Sequence, residues 1–479
     1  MESTQIAGTR PRRGSGLGAP VDRPGGAMPP WLRRTLIVAL IFYNVVYALH
    51  HTPPHVTQSL LWDFSNVYVG SRAWLAGENP YDLAAVYRAW GNSHPGAYLG
   101  RPDLQRNGLF TPIYPPPSLV MLAPLAAMHA VPAHLLWLAL DLVMFALMCA
   151  ALCSMGRITG WEQRLLLVLL LLAWVPGLGV IIAGQLSVNA VSLVVLGVWA
   201  MRNQREVLAG LLLGFAAALK IQLGVPFIAY FLILRQWKPG GVAAGVLLVT
   251  TLIGVLPLEA RGVPWLHQWT QNIHQTMLPG EVNDPRPYGP WRDDMISLQT
   301  LLTSVTTSDR TANALAATIF VAAGALFLFV IFTHTRRPHR DLLALSLVAL
   351  ICALPVYHRA YDMGVLALLG IWAARYLAAP SPVLLRRFAV ITLVLLAELM
   401  IPFEGASFLE RKMRLPPSVT GSTLWQAIVI PHHAWAILIL CGWCLSMICA
   451  MRLRRAWTGR PVHPVSAHDD ENELRAHVT

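Results

Sequence analysis

VLAGLLLGFAAALKIQLGVPFIAYFLIL, residues 207–234, carries a single charged side chain, Lys220. Neither half, 207–219 or 222–234, reaches the roughly 20 apolar residues that a helix needs to cross a bilayer. A lone lysine between two apolar runs costs on the order of 2.5–3.5 kcal/mol on insertion scales unless it reaches water or a partner. The stretch therefore predicts two short helices broken at Lys220 and folded into a hairpin. It also predicts a partner for the ammonium, either a phosphate or a carboxylate. Gln222 follows closely enough to share that role. Broken helices of this kind are tolerated where their backbone is buried in protein or lines a cavity.

The rest of the chain agrees. Of 479 residues, 55% are hydrophobic and 13% charged, and mean hydropathy is +0.52. Soluble domains carry about 25% charged residues, so most of this chain does not face water. Further apolar segments run near 35–50, 116–130, 132–154, 165–183, 187–201, 241–257, 313–333, 341–357, 361–379, 387–402 and 424–450. The fold class is all-α, a polytopic transmembrane bundle covering residues 31–457. Polar tails at 1–30 and 458–479 are expected to be disordered and cytoplasmic. The first apolar segment ends at Ala48-Leu49-His50-His51 without a small-x-small cleavage pattern, and reads as a retained helix.

Net charge is +12, but the Arg and Lys residues cluster at the ends of apolar segments. That is the positive-inside distribution, and it argues against a nucleic-acid partner. With 116–130 dipping and returning, and 207–234 entering as a hairpin, all the basic turns fall inside. These are Arg33/Arg34, Arg157/Arg164, Arg202/Arg205, Arg235/Lys238, Arg336/Arg337/Arg340, Arg386/Arg387 and Arg452/Arg454/Arg455. The outside face then collects loops 50–113, 258–312 and 403–423, the Gly184-Gln185 turn and the His358-Arg359-Ala360-Tyr361-Asp362 turn. An active site on the outer face of the plasma membrane is the economical reading.

In the first outer loop, a helix from Asp63 places Asp63, Val67, Gly70 and Trp74 on one face. A second helix, capped by Asp82, lines up Leu83, Val86, Tyr87 and Trp90. Aromatic amphipathic helices of this sort lie in the membrane interface. By spacing alone Asp63 is an N-cap, a solvated acid or a general base. Gln185 and Asn189 share a face at i, i+4 and need partners near a bilayer boundary, either polar groups of neighbouring helices or sugar hydroxyls. His358 and Asp362 pair at i, i+4; Arg359 between them suits a phosphate, and His358 suits phosphate, sugar or proton transfer. Pro115-Pro116-Pro117 opens a helix whose first-turn amides face outward.

Other features carry less. Asp293-Asp294 lacks a third ligand and reads as a solvated acidic loop rather than a metal site. His50-His51 and His432-His433 read as interface residues, and Cys441/Cys444 as packing cysteines. Gly14, Gly16 and Gly18 follow no strand and are not a nucleotide fingerprint. No G-x-x-x-x-G-K-[ST], H-E-x-x-H or G-x-S-x-G occurs, which lowers the case for an ATP-driven pump, a zincin or a serine hydrolase.

Taken in order, several motifs resemble glycosyltransferase family 87. They are Asp63-Phe64-x-x-Val67-Tyr68, Gly77-x-x-Pro80-Tyr81-Asp82, Phe110-x-x-x-Tyr114-Pro115-Pro116, Gly184-Gln185-x-x-x-Asn189 and Gly214-x-x-x-Ala218-Leu219-Lys220. The resemblance runs from about 36 to 380. It implies a C-type membrane enzyme that inverts the anomeric centre and moves mannose or arabinose. The donor is a polyprenyl-phosphate sugar, the acceptor is a glycan or glycolipid, and no cofactor or metal takes part. Asp63 falls where the family's essential aspartate lies and is the expected catalytic base. Lys220, Gln222, Gln185, Asn189, His358, Arg359, Asp362 and Tyr68 are the expected substrate-binding residues. The competing class is a transporter or flippase, for which broken helices and midplane polar groups are also suited. Long outer loops and the lack of visible internal repeats weigh against it.

Overall fold

The computed structural model describes residues 28–51, 62–93, 111–174, 177–306, 308–334, 338–354, 358–378, 383–399, 410 and 412–458. The expectations for the tail segments 1–27 and 459–479, for Phe110, and for the side chains of His50 and His51 lie outside the described residues. The described residues are 81% helical with nearly no sheet, as a bilayer requires, because helices satisfy their own backbone groups.

Among the described residues, five helices are long and apolar enough to span a membrane. They are α1 (Pro30–His51), α5 (Ala130–Gly156), α11 (Trp237–Ala260), α14 (Asp309–His334) and α18 (His432–Thr458). The two helices expected in the first loop are present as α2 (Trp62–Leu75) and α3 (Leu83–Ser93), followed by α4 (Pro116–Ala126); α2 is buried on nearly every side, so it packs as a core helix rather than as an amphipathic surface helix. The apolar stretch 165–183 is two helices rather than one, α6 (Trp161–Ala173) and α7 (Gly177–Ala183), and the sequence between them holds a proline, Pro176. Then come α8 (Leu186–Arg202), α9 (Glu206–Leu219) and α10 (Ile221–Ile233). After α11 follow α12 (Trp265–Thr276), the short α13 (Leu298–Leu302), α15 (Leu342–Cys352), α16 (Ala367–Ala378) and α17 (Val383–Glu398).

Composition decides which helices sit inside. Every residue of α15 from Leu342 to Ile351 is buried, as expected of a helix that is apolar all round. Asp341 caps it, accepting from the Ala344 N–H at 2.9 Å. By contrast α1 exposes Val38, Ile41, Phe42 and Val45, a surface that only lipid or protein can cover.

The predicted hairpin exists. Gly210 near the start of α9 lies against Pro239 and Val242, while Gly240 lies against Leu232 near the end of α10. Both open ends of the pair therefore meet the first turns of α11. At the tip Lys220 is extended, with φ −139° and ψ 99°. Gly224 presses on the Ala217 backbone so closely that a Cβ would collide with it. The break strands the last carbonyls of α9, and Ser118 of α4 answers: its hydroxyl donates to Ala218 and Leu219 carbonyls at 3.1 and 3.0 Å. Ser118→Ala leaves those buried acceptors unmatched. It should lower stability by about 1–3 kcal/mol, read as an earlier thermal or denaturant unfolding transition in detergent.

The bundle has two chemically different ends. At one, Arg33 and Arg34 pair with Glu162, Arg340 with Glu206, and Arg202 donates to the Arg340 carbonyl. At the other lie the hairpin tip, the start of α4, the end of α11 and the polar loops. There Trp74 donates to the Gly254 carbonyl at 3.0 Å, which seats α2 against the end of α11. A two-residue antiparallel bridge, Met295 with Arg359 and Ile296 with His358, ties loop 261–306 to the His358–Asp362 turn.

Candidate active site

Each polar group of the site stands at the end of an element. Asp63 lies in the first turn of α2. Gln185 caps α8 after Gly184, which takes φ +66° to make the turn. Lys220 is the extended tip of the hairpin. His358 and Arg359 form the short strand, and Asp362 follows in a 3-10 turn. Elements that end together leave backbone and side-chain polar groups convergent, as ligand sites in membrane proteins require.

Lys220, 5% exposed, donates to Asp362 Oδ1 at 2.8 Å and to Ser187 Oγ at 2.6 Å. Its ammonium also sits 4.6 Å from the Tyr361 ring centroid. Ser187 donates to the same Asp362 oxygen at 2.7 Å. The other Asp362 oxygen faces His358 Nδ1 at 3.0 Å, and His358 Nε2 faces the Cys352 carbonyl at 3.2 Å. Burial alone would raise the Asp362 pKa, but the Lys220 and His358 contacts outweigh it and hold the carboxyl well below its usual range. Of the two partners foreseen for Lys220, the carboxylate is the one the fold supplies.

Asp63 behaves in the opposite way. Burial pushes its pKa up, and the opposing charges of Arg359 and Lys220 with a hydrogen bond from Gln185 offset this only in part. A carboxylate that resists ionisation is suited to taking a proton. Gln185 also accepts from the Tyr114 hydroxyl at 3.3 Å, so its amide is oriented from both sides.

Arg359 reaches this cluster from a tether that the sequence reading did not foresee. Its guanidinium pairs with Asp294 at 2.9 Å, approaches the Val282 carbonyl and Asn283 Oδ1 at 3.3 and 3.4 Å, and lies 5.9 Å from the Trp291 ring. Asp294 is therefore not a solvated loop acid; it is 5% exposed. Burial raises its pKa to about 6 despite Arg359 and the Ala360 N–H. Next to it Arg292, 2% exposed, spends its guanidinium on the Pro285, Gln426 and Thr300 carbonyls, Gln426 Oε1 and Ser304. Burial lowers its pKa to about 10. Arg292 clamps the loop that delivers Arg359.

Two expected residues are not brought to the cluster. Tyr68 is fully buried and its hydroxyl donates to the Met128 carbonyl at 2.8 Å, beside Arg72. Asn189 is turned between helices, donating to Asp141 of α5 at 2.5 Å. The interhelical alternative holds for Asn189, and Asp141, one acid within a 27-residue apolar helix, was the available signal. Gln222 is half-buried and lines a small cavity with His358, Cys352 and Met363, close to Lys220 in the chain. Ser187 and Tyr114 were missed as ligating residues. Ser187 lies two residues from Gln185 on the same turn, and Tyr114 lies inside a quoted motif.

A mainly apolar, half-open cleft with a cavity volume of about 60 Å³ runs from this cluster between α5, α6, α7 and α8. Phe145, Met148, Leu171 and Trp174 line its greasy part, and Ser187 and Tyr361 its polar end. The geometry thus joins an apolar slot, a fixed cation pair and one carboxylate reluctant to ionise.

No curated protein and no solved structure matches the chain. The family model described as glycosyltransferase family 87 matches residues 110–357, just over half of the sequence. That span includes Gln185, Lys220 and Asp294, stops one residue before His358, and does not reach Asp63. The match covers the hairpin, its serine prop and the clamped loop 261–306, and by it the chain belongs to glycosyltransferase family 87.

Proposed function

We propose that this glycosyltransferase moves a single sugar, mannose or arabinose, from a polyprenyl-phosphate carrier to a hydroxyl of a glycan or glycolipid acceptor, with inversion. The observation that carries the reading is the placement of Lys220 and Arg359 around Asp63, with Ser187 and Tyr361, which touch Lys220, lining an apolar cleft. The apolar lining of the cleft suits an isoprenoid chain, and the cations suit its phosphate. Lys220 has three ammonium hydrogens and can turn one to a phosphate oxygen while keeping Ser187 and Asp362. Arg359 presents a planar fork suited to phosphate.

The chemistry then needs one base. The acceptor oxygen attacks the anomeric carbon while Asp63 takes its proton. The bond from that carbon to the phosphate oxygen breaks, and its electron pair leaves with the polyprenyl phosphate. A phosphate departs without protonation, so a second carboxyl is not required. The separation of the basic end from the site end supports an outer-face site in the plasma membrane under the positive-inside rule. A lipid carrier also explains why the site is embedded.

Transfer from radiolabelled polyprenyl-phosphate mannose, compared with nucleotide-linked mannose, tests the donor. Labelling from the lipid alone supports the reading, and labelling from the nucleotide sugar alone overturns it. The pH dependence follows from the two raised carboxyls. Asp63 must lose its proton to act as a base, and Asp294 must be ionised to hold Arg359. Both are protonated at a pH where an ordinary carboxylate, with pKa about 4, is already charged. Transfer should therefore climb with pH above the ordinary carboxylate range, through about 6 where Asp294 ionises, and the raised Asp63 moves the limb in the same direction. An acid limb at about 4 in the rate profile, the ordinary carboxylate value, would contradict this assignment.

A further inference from the structure

We propose that Glu398, His432 and His433 form a binding site for one divalent transition-metal ion of the zinc class, separate from the transfer site. Glu398 ends α17 and the two histidines begin α18. His432 Nδ1 lies 2.5 Å from Glu398 Oε1, and the two imidazole centroids are 4.0 Å apart at 56°. One donor atom from each residue lies within 4.8 Å of the others. This is the only such trio of His, Cys, Asp or Glu among the described residues. An ion pair between Glu398 and His432 would use one carboxylate oxygen and one ring. It leaves the second carboxylate oxygen, Glu398 Oε2, buried with no hydrogen-bond partner among the described residues. A cation between the three side chains answers that oxygen and draws on His433, which is 1% exposed.

The donor set names the ligand class. Two imidazoles and a carboxylate suit zinc and its neighbours rather than calcium or magnesium, which take oxygen cages. Glu398 and His432 retain 28% and 21% side-chain exposure, which gives an ion an entry path and leaves a fourth position for water. The site would fasten the end of α17 to the start of α18 and so tie together the two ends of the segment between them. Gln426, which receives Arg292, lies within that segment. This inference does not rest on the donor or acceptor reading.

The test uses full-length protein in detergent, purified without a polyhistidine tag and stripped with chelator. Zn²⁺ is titrated against a chromophoric competitor, and Co²⁺ is followed by its visible absorption. Wild type should bind one tight equivalent, develop the Co²⁺ bands and gain thermal stability with Zn²⁺. His433→Ala and Glu398→Gln should each bind at least about 10–100-fold more weakly, since even outer-sphere changes cost that much, and neither should gain stability with Zn²⁺. The conservative Glu398→Gln keeps the test valid if His433→Ala does not fold. Equal affinity and equal stabilisation in wild type and variants would overturn the site and leave a plain Glu398–His432 pair.

Discussion

Asp63→Asn should lower transfer by about 10²–10⁴-fold, the usual contribution of a positioned general base, with little change in protein abundance. The substitution keeps shape and can still hydrogen-bond to Gln185, but it cannot accept the hydroxyl proton. Its effect on stability can be signed. The folded-state pKa of Asp63 is raised by burial above its unfolded value. Such a group contributes stability that is fully present below the unfolded pKa and lost as pH rises through the folded one. At neutral pH the charged form is therefore no asset to the fold, and the neutral amide should leave the unfolding transition unchanged or slightly later. Labelling of product from polyprenyl-phosphate mannose, normalised to protein in the membrane, reads the result. Equal rates in wild type and variant would remove Asp63 as the base and move attention to the His358–Asp362 turn. Because Asp63 lies outside the span matched by the family, this one variant tests the part of the mechanism with the least independent support.

Lys220→Met should have the second large effect, on both folding and activity. It removes one partner of a buried ion pair whose side chains are 5% and 2% exposed. Breaking such a pair costs about 3–5 kcal/mol because the remaining charge stays buried. Asp362 keeps His358 and Ser187, so the lower part of that range applies. The double variant Lys220→Met with Asp362→Asn removes the orphaned charge and should recover much of the lost stability. Transfer should not recover with it, since the donor phosphate still lacks its cation. Thermal unfolding and transfer measured on the same preparations separate the two roles. If transfer returned with the fold, Lys220 would be a structural residue, and Arg359 alone would be left to hold the phosphate.

Apolar pattern made most of the fold legible. The hairpin was readable because Lys220 interrupts two runs too short to span, and α3 because Leu83, Val86, Tyr87 and Trp90 keep a helical period. The division of 165–183 was harder, since Pro176 lies inside a run that length alone assigns to one span. Within the site, residues whose chemistry is strained by an apolar neighbourhood announced themselves: Lys220, Gln185, and the His358–Asp362 turn. Asp294 did not. It sits in a loop of ordinary polarity, and its burial depends on Arg359, 65 positions later, arriving by a strand bridge that no local pattern encodes. Ser187 was silent for the same reason, meaningful only beside a partner from another helix, whereas Asp141, the one acid in apolar α5, was a signal that pointed to its partner Asn189. Tyr68 misled because a tyrosine on the helix that carries the base could equally face the substrate or the core.

Ser118 has a further consequence. One residue of α4 holds the tip of the hairpin, and α4 is also the helix on which α2 rests, with Leu119 against Gly70. The attacking and departing oxygens of an inverting transfer must stand on opposite sides of one carbon. In the proposed mechanism the group that activates the first rides on α2, and the group that receives the second rides on the hairpin. A single serine-length spacer thus sets the span between them, making α4 the ruler against which any sugar must be measured.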